Sequence, residues 1–388
     1  MQAWNKEFCS SSDVDLSSFS QLCAQAVQVE DYPFARSSEK NILIYEVSRL
    51  SEELERGRET EVKSELHRAL RSGPGVVAIQ GAFSETAVVD RATRVFQEII
   101  AEEKRLASHR GDHFAKPGDN ERVWNALQKF CEKDPEGFVE YYDNLAIGLV
   151  AEAWLGPYFQ MTSQVNIVKP GGQAQKPHRD YHLGFQEDEI VGRFPVSVQV
   201  ASQLLTLQGA VAHTDMSVAS GPTKLLPFSQ QYPLGYLAWR NPEFMAFFEE
   251  HAVQLPLQKG DAVFFSPALF HAAGTNQEAS DRIANLLQVS AAFGKTMETV
   301  NWSRIAKAVY PVLLQKQASG IRNPEALRWL GGSVADGYSF PTNLDADPPI
   351  GGSAPETPQA LISRALSRGL SAAEFDRELD SRLACRQA

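Results

Sequence analysis

The chain has 388 residues, 43% hydrophobic and 22% charged, an ordinary make-up for a folded globular protein. A formal net charge of −11 and a pI near 5.3, with no basic stripe, exclude nucleic acid or an anionic membrane surface as the expected partner, and weigh against a polyanionic substrate such as an acyl-CoA. The first residues lack an apolar signal core, no apolar run is long enough for a membrane span, and "ACRQA" is not a peroxisomal address, so a cytoplasmic protein is expected.

Residues 1–75 read as helical decoration, with a short amphipathic helix over Glu61–Leu70 that stops at "SGPG". "GVVAIQGAF" (75–83) reads as a buried strand, and Ser84 as the cap of a long helix with Val88, Ala92, Val95, Phe96, Ile99 and Ile100 on one face. "SHRGDHFAKPGDNERVW" (108–124) reads as a polar loop. Its His109 and His113 are solvated loop residues in this reading rather than a metal site. A helix is expected over about 136–155, where the pair Tyr141/Tyr142 serves packing. Four scattered cysteines without a CxxC read as reduced thiols.

From about 160 the pattern changes to short β-prone segments separated by turns. They are "QMTSQVNIVKPGG", "SVQVASQLLTL", "GAVAHTD", "TKLLPFS", "VQLPL", "GDAVFFSP", "LFHAAGTN" and "RIANLLQVSAAF". Strands at this spacing predict a sandwich or barrel. Helices return at about 300–330. A Pro/Gly-rich segment then leads to a last helical pair over about 358–384, with Ser371 as an N-cap. The predicted layout is one domain over 1–388: a β-core from about 160, N-terminal decoration over 1–75 and a helical extension over 296–388.

The chemistry concentrates in "QKPHRDYHLGF" (175–185). On an extended strand His178, Asp180 and His182 would share a face, because residues i, i+2 and i+4 do. His271, on "LFHAAGTN", offers a third ligand 93 residues after His178. Two histidines and a carboxylate form the facial set that suits non-haem Fe(II) and leave positions open. Arg282 follows His271 by 11 residues on an apolar strand, and a buried arginine there calls for an anion such as a dicarboxylate. A second His-x-Asp, His213 and Asp215 in "AHTD", offers the same residue types.

These segments resemble the phytanoyl-CoA dioxygenase (PhyH) family of Fe(II)/2-oxoglutarate oxygenases over about 70–295. "QKPHRDYHLGF" is similar to its first ligand motif, "HTDMSVASGPTKLLPFSQQ" to its central turn, and "GDAVFFSPALFHAAGTNQEASDR" to its distal His and Arg block. The resemblance implies a double-stranded β-helix (jelly-roll, cupin-like) core wrapped by helices, mainly β with flanking α. It implies His178, Asp180 and His271 as iron ligands, in preference to His213/Asp215, and Arg282 as the grip on 2-oxoglutarate. Gln164, Asn166, Lys116 and Thr223 are candidate co-substrate contacts, with Thr275 a further hydroxyl. Only one of Gln164 and Asn166 is expected to face inward. Arg122, Trp124, Tyr181, His182, Phe185 and Phe340 are candidate substrate contacts, and Lys116 and Arg122 are alternatives for one basic position.

The chain departs from the family in four places. Arg179 stands where the family often has Gln, "PFSQ" (227–230) where it has "PGSH", Ala210 where a Trp is common, and the stretch 186–209 is long. The implied activity is oxidation of an unactivated C–H bond of a small organic molecule by O2, with 2-oxoglutarate converted to succinate and CO2. Hydroxylation is the leading product, with desaturation or ring closure by the same oxidant as alternatives. Asp180 fills the carboxylate position, which argues against halogenation. From another class, the alternative is a silent jelly-roll that binds a ligand. Nothing in the sequence sets an oligomeric state.

Overall fold

The computed structural model describes residues 6–106, 118–320 and 327–387. Its strands are β1 (Ser37–Glu39), β2 (Ile42–Glu46), β3 (Val76–Gln80), β4 (Asn120–Val123), β5 (Gln160–Val168), β6 (Thr206–Ala212), β7 (Lys224–Leu225), β8 (Ala262–Phe265), β9 (His271–Ala272) and β10 (Arg282–Ser290). Eight of them form one sheet in the order β1-β2-β3-β8-β6-β10-β5-β4, and β7 and β9 pair separately. A bridge between His178 and His271, and another between Leu225 and Val253, widen this second sheet. The two sheets face each other as the halves of a jelly-roll.

The helices are α1 (Leu16–Cys23), α2 (Val47–Glu55), α3 (Glu59–Arg71), α4 (Thr86–Arg105), α5 (Ala126–Lys133), α6 (Pro135–Tyr142), α7 (Leu145–Leu155), α8 (Asp188–Val191), α9 (Val196–Ser202), α10 (Gly235–Ala238), α11 (Pro242–His251), α12 (Trp302–Ala318), α13 (Leu327–Val334), α14 (Pro358–Arg368) and α15 (Ala372–Ala384). Helices outnumber strands, but they flank the large sheet and the strands build the cavity. None of the described helices is long and apolar enough to cross a membrane. Ser371 caps α15 in a capping box with Glu374. The C-terminal helices pack on the core: Trp329 lies so close over Gly148 of α7 that a Cβ there would collide with it. Arg328 forms ion pairs with Glu59 and Glu152.

Several segments differ from the sequence-based expectation. The N-terminal region carries two strands, because the β-branched "ILIY" pairs in parallel with β3 and is buried. The loop expected over 108–124 ends in β4, whose Arg122 lies opposite Asn166. His109, His113 and Lys116 lie outside the described residues. Ser84 is not the cap of α4, which starts after Glu85. The helix expected over 136–155 is divided at Asp143–Asn144, where the Asn144 side chain caps α7. "SVQVAS" alternates like a strand but folds as α9. Its Val196 and Gln199 are buried while Val198 and Val200 stay exposed, a helical division of faces.

Candidate metal and co-substrate site

His178 and His271 lie directly opposite each other and exchange both backbone hydrogen bonds, at 3.0 and 3.2 Å. Side chains opposite each other in an antiparallel pair share a face, so both imidazoles project together. Asp180 is held two residues on, its N–H donating to the Pro267 carbonyl at 3.0 Å. Its Oδ1 lies 3.5 Å from His178 Nε2 and its Oδ2 3.3 Å from His271 Nε2. One donor atom from each residue lies within 4.8 Å of the others. Each imidazole engages a backbone carbonyl through Nδ1, Lys176 O for His178 and Leu269 O for His271, both at 2.8 Å. With Nδ1–H donated there, both Nε2 lone pairs face Asp180, the tautomer a metal requires. Burial holds the His178 imidazole below its ordinary pKa and so neutral. The flanking imidazoles and Gln208 hold the Asp180 carboxyl below the usual carboxylate range, against the opposing effect of burial. Two imidazoles and one carboxylate on one side of a common point fit Fe(II) and leave the opposite side free.

A cavity of about 670 Å³ opens beside this triad. Its floor is the inward face of the large sheet: Gln208, Ala210 and Ala212 on β6, Gln164 and Asn166 on β5, and alternate residues from Arg282 to Gln288 on β10. Residues i and i+2 of a strand share a face. Gln164 and Asn166 therefore both face the cavity, against the expectation that only one would. Arg282 is buried, and its Nη1 donates to the carbonyls of Ser220 and Gly274 at 3.2 and 3.4 Å. Burial lowers this guanidinium to about 10, so it stays charged at neutral pH. Asp281 instead pairs with Lys169, and Asp261 accepts backbone N–H groups from Gly81 and Gln258. Among the described residues no carboxylate forms an ion pair with Arg282, so a charged donor lines the cavity ready for an anion.

Arg122 also lines the cavity. Its Nη1 donates to Gln164 Oε1 at 2.8 Å and it lies over Trp124, which sits behind it rather than in the cavity. Thr223 and Phe185 line it as well. Thr275 instead accepts the Ala174 N–H at 3.0 Å. Tyr181 and His182 do not line the cavity: their positive φ values, 61° and 36°, end the extended segment after Asp180 and break the alternation that would have put His182 beside the triad. Phe340 is exposed on the C-terminal extension, away from the cavity.

His213 and Asp215 do not converge. His213 is buried between Thr93 Oγ1 and Tyr141 OH, both at 2.8 Å, while exposed Asp215 accepts the Lys259 N–H. Arg179 points away from the triad into a second apolar cluster. It donates to the carbonyls of Ser229 and Tyr232 at 2.7 and 3.1 Å and lies against the rings of Tyr236 and Phe270. Ala210, where a Trp was expected from the resemblance, lines the cavity with a methyl group.

Sequence reasoning missed Gln208 and Gln288, which lie opposite each other on β6 and β10. Gln208 Nε2 donates to Asp180 Oδ2. The signal was present as a glutamine within a β-prone run on each strand.

A phytanoyl-CoA dioxygenase (PhyH) family model matches residues 71–284, more than half of the chain. An uncharacterized Saccharomyces cerevisiae protein, YJR154W, is 26% identical over 161 residues, 40% of this chain and 43% of that protein, so the match spans less than half of the yeast relative. Among solved structures, the non-haem α-ketoglutarate-dependent carbocyclase SnoK of nogalamycin biosynthesis is 20% identical with a TM-score of 0.44, covering 61% of this chain and 86% of its own. HygX from Streptomyces hygroscopicus, solved with nickel and 2-oxoglutarate, is 12% identical with a TM-score of 0.40, covering 61% and 90%. On the family match, the chain belongs to the phytanoyl-CoA dioxygenase (PhyH) family of non-haem iron, 2-oxoglutarate-dependent oxygenases.

Proposed function

We propose that the whole chain is one catalytic unit that hydroxylates an unactivated C–H bond of a small organic substrate. His178, Asp180 and His271 would hold Fe(II), and Arg282 the distal carboxylate of 2-oxoglutarate. The observation that carries this reading is the pairing, in one cavity, of a metal-competent triad with a buried guanidinium that no described carboxylate neutralises. Bound iron with 2-oxoglutarate and O2 supplies the oxidising power, with succinate and CO2 released.

The chain's own residues bind, orient and exclude water. The carbonyls of Lys176 and Leu269 fix the tautomers of the two histidines, and Gln208 fixes the rotation of the Asp180 carboxylate. Arg282 matches a carboxylate in charge and in its fork of N–H donors. Asn166, Gln164 and Thr223 line the space between the sheets and can donate to the same co-substrate. Val263, Phe265, Leu255 and Leu286 form an apolar wall that keeps a substrate body dry beside the triad.

The experiment is anaerobic addition of Fe(II) and 2-oxoglutarate, which should produce a weak visible charge-transfer band, followed by succinate release in air. Absence of both from metal-loaded protein would favour a silent binding jelly-roll. Product mass then separates hydroxylation from desaturation or ring closure.

A further inference from the structure

Gln208 and Gln288 form a pair whose side-chain oxygens the cofactor reading leaves unused. They face each other across β6 and β10, line the cavity, and are only 7% and 5% exposed. Gln208 donates its Nε2 hydrogen to a carboxylate, which fixes its amide orientation, so its Oε1 is an acceptor. That oxygen and Gln288 Oε1 are both buried without a hydrogen-bond partner among the described residues. A buried acceptor left unmatched is costly, and two side by side next to a metal ligand need a common explanation.

The co-substrate does not provide it. Arg282 and Gln288 are six residues apart on β10, about 20 Å of extended strand. A five-carbon diacid anchored at Arg282 and directed at the triad leaves the Gln208/Gln288 end to a different molecule. The neighbours at that end, Phe265, Leu286 and Val263, are apolar. The complementary ligand therefore has a hydrocarbon body and a donor group on it.

We propose that Gln208 and Gln288 are a substrate subsite that accepts hydrogen bonds from a hydroxyl or amine group, seating the adjacent carbon of the substrate beside Asp180. The inference rests on the oxygenase reading and names the substrate class: small aliphatic or ring compounds bearing a hydroxyl or an amine near the oxidised carbon. A site built to accept a hydrogen bond discriminates strongly against a molecule that cannot donate one, because the buried oxygens then stay unmatched.

The test uses the full chain loaded with Zn(II), which is redox-silent, and 2-oxoglutarate. Ligand-observed NMR is recorded with cyclohexanol, cyclohexylamine and cyclohexanone, which share a ring and differ in the donor. Cyclohexanol or cyclohexylamine should bind about tenfold more tightly than the ketone. Gln288→Leu should erase that preference. Gln288→Glu retains an acceptor and should restore the preference, shifted toward the amine. If the amine alone is favoured in the wild type, the natural group is an ammonium; if the alcohol is, a hydroxyl. Equal binding of the ketone, a preference that survives Gln288→Leu, or no retention of any ring compound would each overturn the proposal, the last by leaving the two oxygens to water. Retention of 2-oxoglutarate is read in the same spectra. Its loss from the wild type sinks the oxygenase reading, whereas lost discrimination among the rings with 2-oxoglutarate retained sinks only the subsite.

Discussion

Asp180 Oδ2 lies 3.3 Å from His271 Nε2, although 91 residues separate the two in the chain. The contact arises because His178 and His271 are direct partners across two antiparallel segments, while Asp180, two residues from His178, projects to the same side. The candidate ligand set is thus a property of strand register. A shift of one residue would turn His271 to the other face.

Removing either end of that contact should remove the metal. Asp180→Ala and His271→Ala are each expected to weaken Fe(II) binding by more than roughly a hundredfold, beyond the 10–100-fold cost of losing an outer partner. Both should lose the 2-oxoglutarate charge-transfer band. An unchanged band in both variants would remove these residues from the metal site.

Arg282 should control 2-oxoglutarate rather than iron. Arg282→Gln is expected to weaken 2-oxoglutarate binding by roughly tenfold to a hundredfold, the cost of losing charge-assisted hydrogen bonds, while Fe(II) affinity measured without 2-oxoglutarate stays near wild type. Titration of the anaerobic band against 2-oxoglutarate checks this. Equal affinity in the variant would place the anion elsewhere.

Gly235 should be indispensable to Arg179. A Cβ at 235 would collide with the Arg179 guanidinium. Gly235→Ala is expected to cost about 1–3 kcal/mol, the usual range for overpacking a core. Adding Arg179→Met, which trims the colliding group, should make the second substitution less damaging than the sum of the two singles. Simple additivity in urea unfolding would count against the clash.

His213 should make stability fall with acid. Burial holds its pKa down at about 3, against an ordinary 6.5. The proton goes to the unfolded chain first as pH drops below the ordinary value, because the folded chain keeps the imidazole neutral. The His213 contribution is therefore complete above about pH 6.5 and declines by about 1.4 kcal/mol per pH unit until the pH nears 3. Between pH 7 and pH 5, His213→Gln should lose less stability than the wild type. Parallel losses in the two proteins would show that His213 does not contribute this dependence.

Some of this was legible in the chain, and the reasons are local. The candidate ligand residues stand in short motifs where turn residues and β-branched runs mark the strand ends, so "HRD" and "LFH" could be joined from the sequence. Ser371 as an N-cap, and the apolar face of α4, were readable for the same reason. "SVQVAS" was not, because its alternation suits a half-buried strand as well as a short helix, and packing chose the helix. Nor was His182, because the positive φ values at Tyr181 and His182 leave no mark in residue type.

The sequence by itself therefore determined the chemistry: which residues can bind a metal, that a buried arginine needs an anion, and that the core is built from short strands. The tertiary structure decided what the second His-x-Asp does instead of binding a metal, since His213 spends both ring nitrogens on Thr93 and Tyr141. It also decided that Gln208 and Gln288 face one cavity, because strand register, set by pairing between distant segments, determines which side chains meet.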